Sequence, residues 1–97
     1  MNARGKSLKG KRRITFTLVA PKARQVFLGA DFNQWQPDKH PMKKGKYGAW
    51  TRTVYVPPGE YEYKFWVDGE WKMDERNSKT RRNLYGTHNN IIEIASK

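Results

Sequence analysis

The chain has 97 residues, of which 20 are lysine or arginine and only 9 are aspartate or glutamate, so its formal charge is +11. A chain of this length forms one domain, because pieces of it would be too small to bury a core of their own. It contains no cysteine, which excludes disulfide scaffolding, thiolate catalysis and cysteine zinc sites.

Positive charge is concentrated at the start of the chain. Residues 1–13 hold six bases and no acid, whereas residues 14–97 hold 14 bases and 9 acids. The sequence therefore predicts a flexible basic tail over residues 1–13 and a globular module over residues 14–97. The charge of the tail leaves open an attraction to nucleic acid, anionic lipid or an acidic partner.

Hydrophobic alternation and turn residues predict about six strands in chain order: residues 14–19, 25–31, 49–56, 60–67, 70–73 and 90–95. Residues 31–48 and 74–90 are rich in polar residues and are predicted as two long loops. No apolar period of 3.6 residues occurs. The pattern is typical of an all-β protein, an immunoglobulin-like antiparallel β-sandwich.

The strand over residues 60–67 has two different faces. One face is predicted to build the core, and it carries Tyr61, Tyr63, Phe65 and Val67. The opposite face carries Glu60, Glu62, Lys64 and Trp66. Asp68-Gly69 is a two-residue hairpin turn, which brings Trp71 back to the side of the sheet that carries Lys64.

Residues suited to catalysis are sparse. His40 and His88 lie in different loops without metal-ligand spacing, and we interpret both as solvated. Two carboxylate pairs are interpreted as solvated or salt-bridged surface groups: Glu60 with Glu62, and Asp74 with Glu75. Phosphate-binding glycine loops are absent. We therefore predict a protein that is not an enzyme and uses no cofactor or metal.

Binding is better supported, because three tryptophans occupy positions that look outward: Trp35, Trp66 and Trp71. Indole faces suit sugar rings or nucleobases. Sugar hydroxyls would need polar partners, and Lys64, Asn89 or Asn90 could supply them. From the residues alone, both ligand classes remain open. The apolar run after residue 13 is short and alternating, unlike a signal peptide, and no stretch is long enough to span a membrane, so we predict a cytoplasmic protein.

Three segments carry a family resemblance: "VFLGADFNQWQP" (26–37), "PPGEYEYKFWVDGEW" (57–71) and "LYGTHNNIIEI" (84–94). Together they resemble the glycogen-binding domain of AMP-activated protein kinase β-subunits. They are also similar to the family 48 carbohydrate-binding modules at the N-termini of isoamylases, pullulanases and branching enzymes. The resemblance implies a β-sandwich that binds α-1,4-glucans such as glycogen, starch or maltooligosaccharides.

The resemblance also implies the site residues. Trp35 and Trp71 would stack on glucose rings, while Lys64 and Asn89 would bond sugar hydroxyls. Tyr85 stands where the kinase domains have a leucine, and Thr87 would be a nearby contact. Trp66 replaces a residue that is often phenylalanine or valine, and its role is undecided.

The expected function is non-catalytic glucan binding that targets or regulates a partner, such as a kinase or an enzyme of glycogen or starch metabolism. Neither a membrane nor nucleic acid is expected as a partner. One alternative is a protein-interaction or regulatory module with a vestigial sugar site, whose basic tail docks an acidic partner or nucleic acid. Another is an accessory domain for a glucan enzyme carried on a separate chain.

Overall fold

The computed structural model describes residues 10–96. Within this range eight strands are present: β1 (Arg12–Val19), β2 (Val26–Ala30), β3 (Lys43–Lys44), β4 (Ala49–Val56), β5 (Gly59–Val67), β6 (Glu70–Lys72), β7 (Thr80–Arg82) and β8 (His88–Ile94). One sheet has the order β1-β4-β3, and the other has the order β2-β5-β8-β7, with β6 also paired to β5. The two antiparallel sheets confirm the predicted all-β sandwich.

The core lies between the two sheets and is filled from both. The three-stranded sheet contributes Phe16 from β1 and Trp50, Val54 and Val56 from β4, and the five-stranded sheet contributes Leu28, Tyr63, Phe65 and Val67. Each such side chain stabilises the fold by about 1.5–3 kcal/mol when fully buried. The predicted inward face of β5 is therefore confirmed, with Tyr61 only partly buried.

β5 is the central strand of the larger sheet and positions its outward face. β2 pairs along residues 63–67 of β5, and β8 pairs along residues 59–63. The short β6 pairs with the end of β5, so that Trp66 lies opposite Trp71. Because cross-strand partners share a face, Trp71 returns to the outward face that also carries Lys64. This confirms the predicted hairpin geometry.

The two predicted loops contain more structure than expected. Residues 74–90 include β7 and the first residues of β8, so the prediction of one long loop is wrong there. β7 has no apolar residue, all three of its residues are exposed, and it forms by pairing with β8. Residues 31–48 contain β3 and three short 3-10 helices, Asp31–Asn33, Pro37–Lys39 and Lys46–Gly48. Hydrophobic alternation cannot detect such elements.

The predicted basic tail lies mostly outside the described residues, which begin at residue 10. Arg12 and Arg13 already belong to β1, opposite Val56 and Tyr55. Among the helices that the structure describes, none has the length and apolar character needed to cross a lipid bilayer.

Candidate functional site

A cleft of about 560 Å³ opens on the outward face of the five-stranded sheet. This volume lies within the range typical of small-ligand sites. We call it the aromatic cleft, and its lining residues are Trp35, Lys64, Trp71, Asn83, Leu84, Tyr85, Thr87 and Asn89. The six side chains that the family resemblance implied as site residues all meet here, whereas Trp66 and Asn90 are not among the lining residues. Asn83 and Leu84 complete the lining and had not been predicted.

Trp35 reaches the cleft through an unusual stretch of backbone. β2 ends at Ala30 and is followed by the 3-10 helix Asp31–Asn33. Gln34 and Trp35 then both adopt left-handed conformations, with φ of 55° and 57°. A non-glycine residue in this region costs of order 1 kcal/mol, and such residues concentrate at functional sites. The turn directs the indole of Trp35 over the sheet.

The side chains of Asp31 and Asn33 hold this turn together. Asp31 accepts a hydrogen bond from Trp35 Nε1 (3.2 Å) and another from the backbone N–H of Glu62 (2.8 Å), so it ties the tryptophan to β5. Asn33 is buried; it accepts from the N–H of Ala30 and donates to the carbonyl of Leu28. Asp31 and Asn33 of the "DFN" segment therefore hold Trp35 in position.

His40 belongs to this scaffold as well. Its Nδ1 accepts a hydrogen bond from Asn33 Nδ2 (2.8 Å), and its ring meets Phe32 edge-on. Burial, with smaller contributions from nearby Arg52 and Lys39, lowers the pKa of the His40 imidazole. The interpretation of His40 as a solvated loop residue is wrong, because the loop folds back onto β2.

Trp71 packs against two other indoles, and the absence of a side chain at Gly29 leaves room for its ring. It is 41% exposed and meets Trp66 and Trp35 in edge-on contacts, with ring centroids 4.9 Å and 5.8 Å away. Gly29 lies beneath it: a Cβ there would be 2.6 Å from two ring atoms of Trp71. Trp66 is not among the lining residues of the cleft. Its role in the structure is to support Trp71.

Lys64 supplies a cation at the floor of the cleft. Only 9% of the residue is exposed, and Nζ donates a hydrogen bond to Thr87 Oγ1 (3.2 Å). Burial lowers the pKa of the Lys64 ammonium from its ordinary value. Since an ammonium has three donors, further N–H groups are available to a ligand.

Asn83 organises the loop over residues 83–87, which forms one wall of the cleft. Its side-chain oxygen accepts hydrogen bonds from the backbone N–H groups of Tyr85 and Thr87. Its Nδ2 donates to Thr87 Oγ1 and to Asn89 Oδ1. Leu84 and Tyr85 are thereby presented at 100% and 91% exposure. Exposed apolar groups on a tied loop mark a contact surface.

Asn89 is oriented from both sides. Its Nδ2 donates to Glu62 Oε1 (2.9 Å), and its Oδ1 accepts from Asn83 Nδ2 (3.1 Å). One N–H and one lone pair of the amide remain for a ligand. Glu62 and Glu60 are in turn paired with Arg81 at 3.1 Å and 2.5 Å, which confirms the interpretation of these two carboxylates as salt-bridged.

Asn90 does not belong to the cleft, and its proposal as a hydroxyl partner is wrong. It is fully buried; its amide accepts from the N–H of Asp74 and donates to the carbonyls of Asp74 and Asn77. Asp74 also accepts from the hydroxyl of Tyr63 (2.8 Å), so this carboxylate is a structural group. In residues 10–96 no group of three or more histidine and acidic side chains could hold a metal ion.

The sequence profile of one protein family matches residues 13–97, and that family is described as the glycogen recognition site of AMP-activated protein kinase. The chain belongs to this family. The 5'-AMP-activated protein kinase subunit beta-1 of Rattus norvegicus and that of Homo sapiens are each 35% identical to it over 71 residues, which is 73% of this chain and 25% of each relative. Subunit beta-2 of Mus musculus has the same identity and coverage.

Family membership confirms the resemblance to the glycogen-binding domain of AMP-activated protein kinase β-subunits. The chain spans only about a quarter of the length of these relatives. The likeness therefore concerns one module of the larger subunits.

Proposed function

We propose that this chain is a non-catalytic module that binds α-1,4-linked glucan chains such as glycogen, starch and maltooligosaccharides. The observation that carries the proposal is the aromatic cleft, in which Trp35 and Trp71 lie beside the polar groups of Lys64 and Asn89. A sugar ring presents C–H groups on its faces and hydroxyls on its edge. It therefore needs indole faces and hydrogen-bonding groups side by side, as this cleft arranges them.

Each lining residue then has a definite task. Trp35 and Trp71 stack on glucose rings, and the exposed Leu84 and Tyr85 add apolar contact from the opposite wall. At the floor of the cleft, the free N–H groups of Lys64 form hydrogen bonds with sugar hydroxyls. The remaining N–H and lone pair of the Asn89 amide do the same. Thr87 positions the Lys64 ammonium and contacts the ligand from the same loop.

The charges around the cleft favour a neutral polymer over nucleic acid. Glu62 is bonded directly to Asn89, and Glu60 lies next along the same salt-bridged cluster. These two carboxylates balance the charges of Arg81 and Lys64, whereas a phosphate backbone binds where positive charge dominates. A glucan carries no charge and needs no such excess of positive charge.

The first test is a titration of the protein with maltoheptaose, followed by tryptophan fluorescence. Trp71→Ala should lower the affinity by about 1–3 kcal/mol, the range measured for single stacked rings in nucleic-acid complexes. Tyr55→Ala is the matched control, because Tyr55 is also 41% exposed but lies on the three-stranded sheet. It should leave affinity unchanged. Absence of binding by the folded wild-type protein contradicts the proposal.

We further propose that the module attaches a larger cytoplasmic protein or assembly to glucan particles. The relatives that support this are named as subunits of a protein kinase, and the matched region is only a quarter of each subunit. A fluorescent protein fused to the chain should sediment with glycogen, and the same fusion carrying Trp71→Ala should stay in the supernatant. A wild-type fusion that fails to sediment while maltoheptaose still binds would contradict the targeting role alone.

A further inference from the structure

Charge is divided very unevenly between the two sides of the sandwich. Residues 10–20 and 41–58 carry the three-stranded sheet and its connections, and they hold seven bases and no acid. The other described residues, 21–40 and 59–96, hold nine bases and nine acids. The three ion pairs among the described residues use only the bases Lys79 and Arg81, so the seven bases of the first group pair with no carboxylate there. That side attracts anionic groups.

The same side has an open sheet edge. β1 is the outer strand of the order β1-β4-β3, and it pairs with β4 over all eight of its residues. Among residues 10–96, its other side therefore presents a row of backbone N–H and C=O groups that no strand satisfies. At the start of this edge, the guanidinium of Arg12 donates to the carbonyls of Ala95 and Ser96.

The remaining edges are much less open in the part of the chain that the structure describes. β3, β6 and β7 have only two or three residues each. β2 is covered by residues 40–42: the N–H of Leu28 donates to the carbonyl of His40, and the N–H of Met42 donates to the carbonyl of Val26. β1 has no proline, and its unbroken register shows no bulge, so it lacks two of the usual devices that block strand addition.

The side chains of β1 indicate what could be added. Ile14 and Leu18 point to the core side but are only partly buried, so they offer apolar area to a neighbour. Arg13, exposed on the outer side, is followed on the same face by Thr15 and Thr17. An added strand would suit this edge if apolar residues alternated with acidic ones, because alternate residues of a strand face opposite sides.

We propose that the free edge of β1 binds an extended acidic segment of a partner protein as an additional strand. A peptide supplies both donors and acceptors to the exposed backbone, whereas the backbone of single-stranded DNA supplies only acceptors. A second copy of this chain is opposed by its own charge, since β1 begins with Arg12-Arg13 directly after Lys11. The edge lies on the sheet opposite the aromatic cleft, so this binding is independent of the proposed glucan binding.

The experiment uses a fluorescent peptide of about twelve residues in which glutamate alternates with valine, long enough to cover a strand of this length. The wild-type protein should bind it at low ionic strength and bind more weakly at 0.5 M salt, where charge is screened within about 4 Å. Arg13→Glu should weaken binding about tenfold or more, because one charge is reversed beside the peptide. Lys72→Glu reverses an exposed base on β6 and should change affinity less than about twofold.

Two measurements test strand addition itself. The peptide should protect backbone amides of β1 from hydrogen exchange. A peptide that is N-methylated on the alternate amides facing β1 should not bind, because those amides can no longer donate hydrogen bonds. Maltoheptaose binding by Arg13→Glu should match that of the wild type, which shows that the variant is folded.

Four results would overturn the proposal. The first is that the peptide leaves hydrogen exchange of the β1 amides unchanged, and the second is that peptides N-methylated on one edge or on the other both bind as tightly as the unmethylated peptide. The third is that single-stranded DNA binds as tightly as the peptide and depends on Arg13 in the same way. The fourth is that the protein associates with itself through β1 at micromolar concentration.

Discussion

Two asparagine-centred networks lie next to each other in the chain and have opposite outcomes. Asn90, with Asp74 and Asn77, forms a frame in which every polar atom of its amide is bonded within the protein. Asn83, with Thr87 and Asn89, forms a wall in which the loop is tied down while part of the Asn89 amide stays free. The frame stabilises the fold, and the wall presents groups to a ligand.

The frame and the wall differ in whether donors and acceptors of their asparagine side chains remain free for a ligand, and they do not differ in residue type. Each network contains two asparagines, Asn77 and Asn90 in the frame and Asn83 and Asn89 in the wall. Asn90 is fully buried, so any lost bond leaves a group that water cannot reach. Asn89 is only 8% exposed, but its partners keep other bonds when it is lost, since Asn83 still donates to Thr87 and Glu62 still pairs with Arg81.

The largest expected effect is on the frame. Asn90→Ala removes three hydrogen bonds and leaves the backbone of Asp74 and Asn77 unsatisfied, so the free energy of unfolding should fall by about 3 kcal/mol or more. Asn89→Ala should cost only about 1 kcal/mol of stability but should reduce maltoheptaose binding. Denaturant unfolding measures both. Equal destabilisation by the two variants would erase the distinction between frame and wall.

The second prediction concerns the pH response of the frame. The hydroxyl of Tyr63 bonds to Asp74 and Asn77, and burial raises the pKa of this phenol well above its ordinary value. Above pH of about 10 the unfolded chain loses this proton and the folded chain keeps it, so stability should fall with rising pH by up to about 1.4 kcal/mol per unit.

Tyr63→Phe is the control for that slope. It should be less stable than the wild type at neutral pH and should lack the extra decline, as followed by urea unfolding between pH 8 and 11. An identical alkaline slope in both proteins would show that Tyr63 ionises freely in the folded state.

The third prediction concerns the support of the cleft. Gly29→Ala places a Cβ against the ring of Trp71, which must move, and maltoheptaose affinity should fall about tenfold, or about 1.4 kcal/mol. In a Trp71→Ala background the same change should have no further effect on affinity. A double-mutant cycle therefore measures the coupling. Additive losses would mean that Gly29 acts on binding by another route.

The smallest effect is expected at the loop of the wall. Asn83→Ala releases the backbone N–H groups of Tyr85 and Thr87, so affinity should fall about fivefold, while the unfolding free energy changes by less than about 1 kcal/mol because the loop is exposed. Asn77→Ala is its counterpart in the frame. It should lower the free energy of unfolding more than Asn83→Ala does and should leave maltoheptaose affinity unchanged. Calorimetric titration and thermal unfolding of the two variants give the comparison.

The fold was largely predictable because alternation reports burial directly. Tyr63, Phe65 and Val67 were placed on the core face of their strand by period-two patterning alone. β7 was not predictable, since three exposed polar residues carry no such pattern and only pairing with β8 makes them a strand. The 3-10 helices after β2 depend on hydrogen bonds between side chains and backbone that no periodicity reveals.

The site was predictable only in part, and mainly through the resemblance. Alternation showed that Lys64 faces outward, but it could not bring Trp35 or Asn89 to the same cleft. The separation of Asn89 from Asn90 was missed because the last strand was predicted to begin at residue 90, two residues late. With the correct start, alternation would have assigned the two asparagines to opposite faces. Asn83 and Leu84 carried no signal, because their roles arise from the closed loop.

The left-handed backbone at Gln34 also shows where this protein could be made more robust. Gln34 is exposed and is not among the lining residues of the cleft, yet it sits at φ of 55°. Asparagine and glycine tolerate that conformation better than glutamine does. A substitution at Gln34 can therefore raise the thermal stability of the protein without altering the lining of the aromatic cleft. Replacing Gln34 with asparagine or glycine should relieve strain at this position while the neighbouring Trp35 keeps its place in the aromatic cleft.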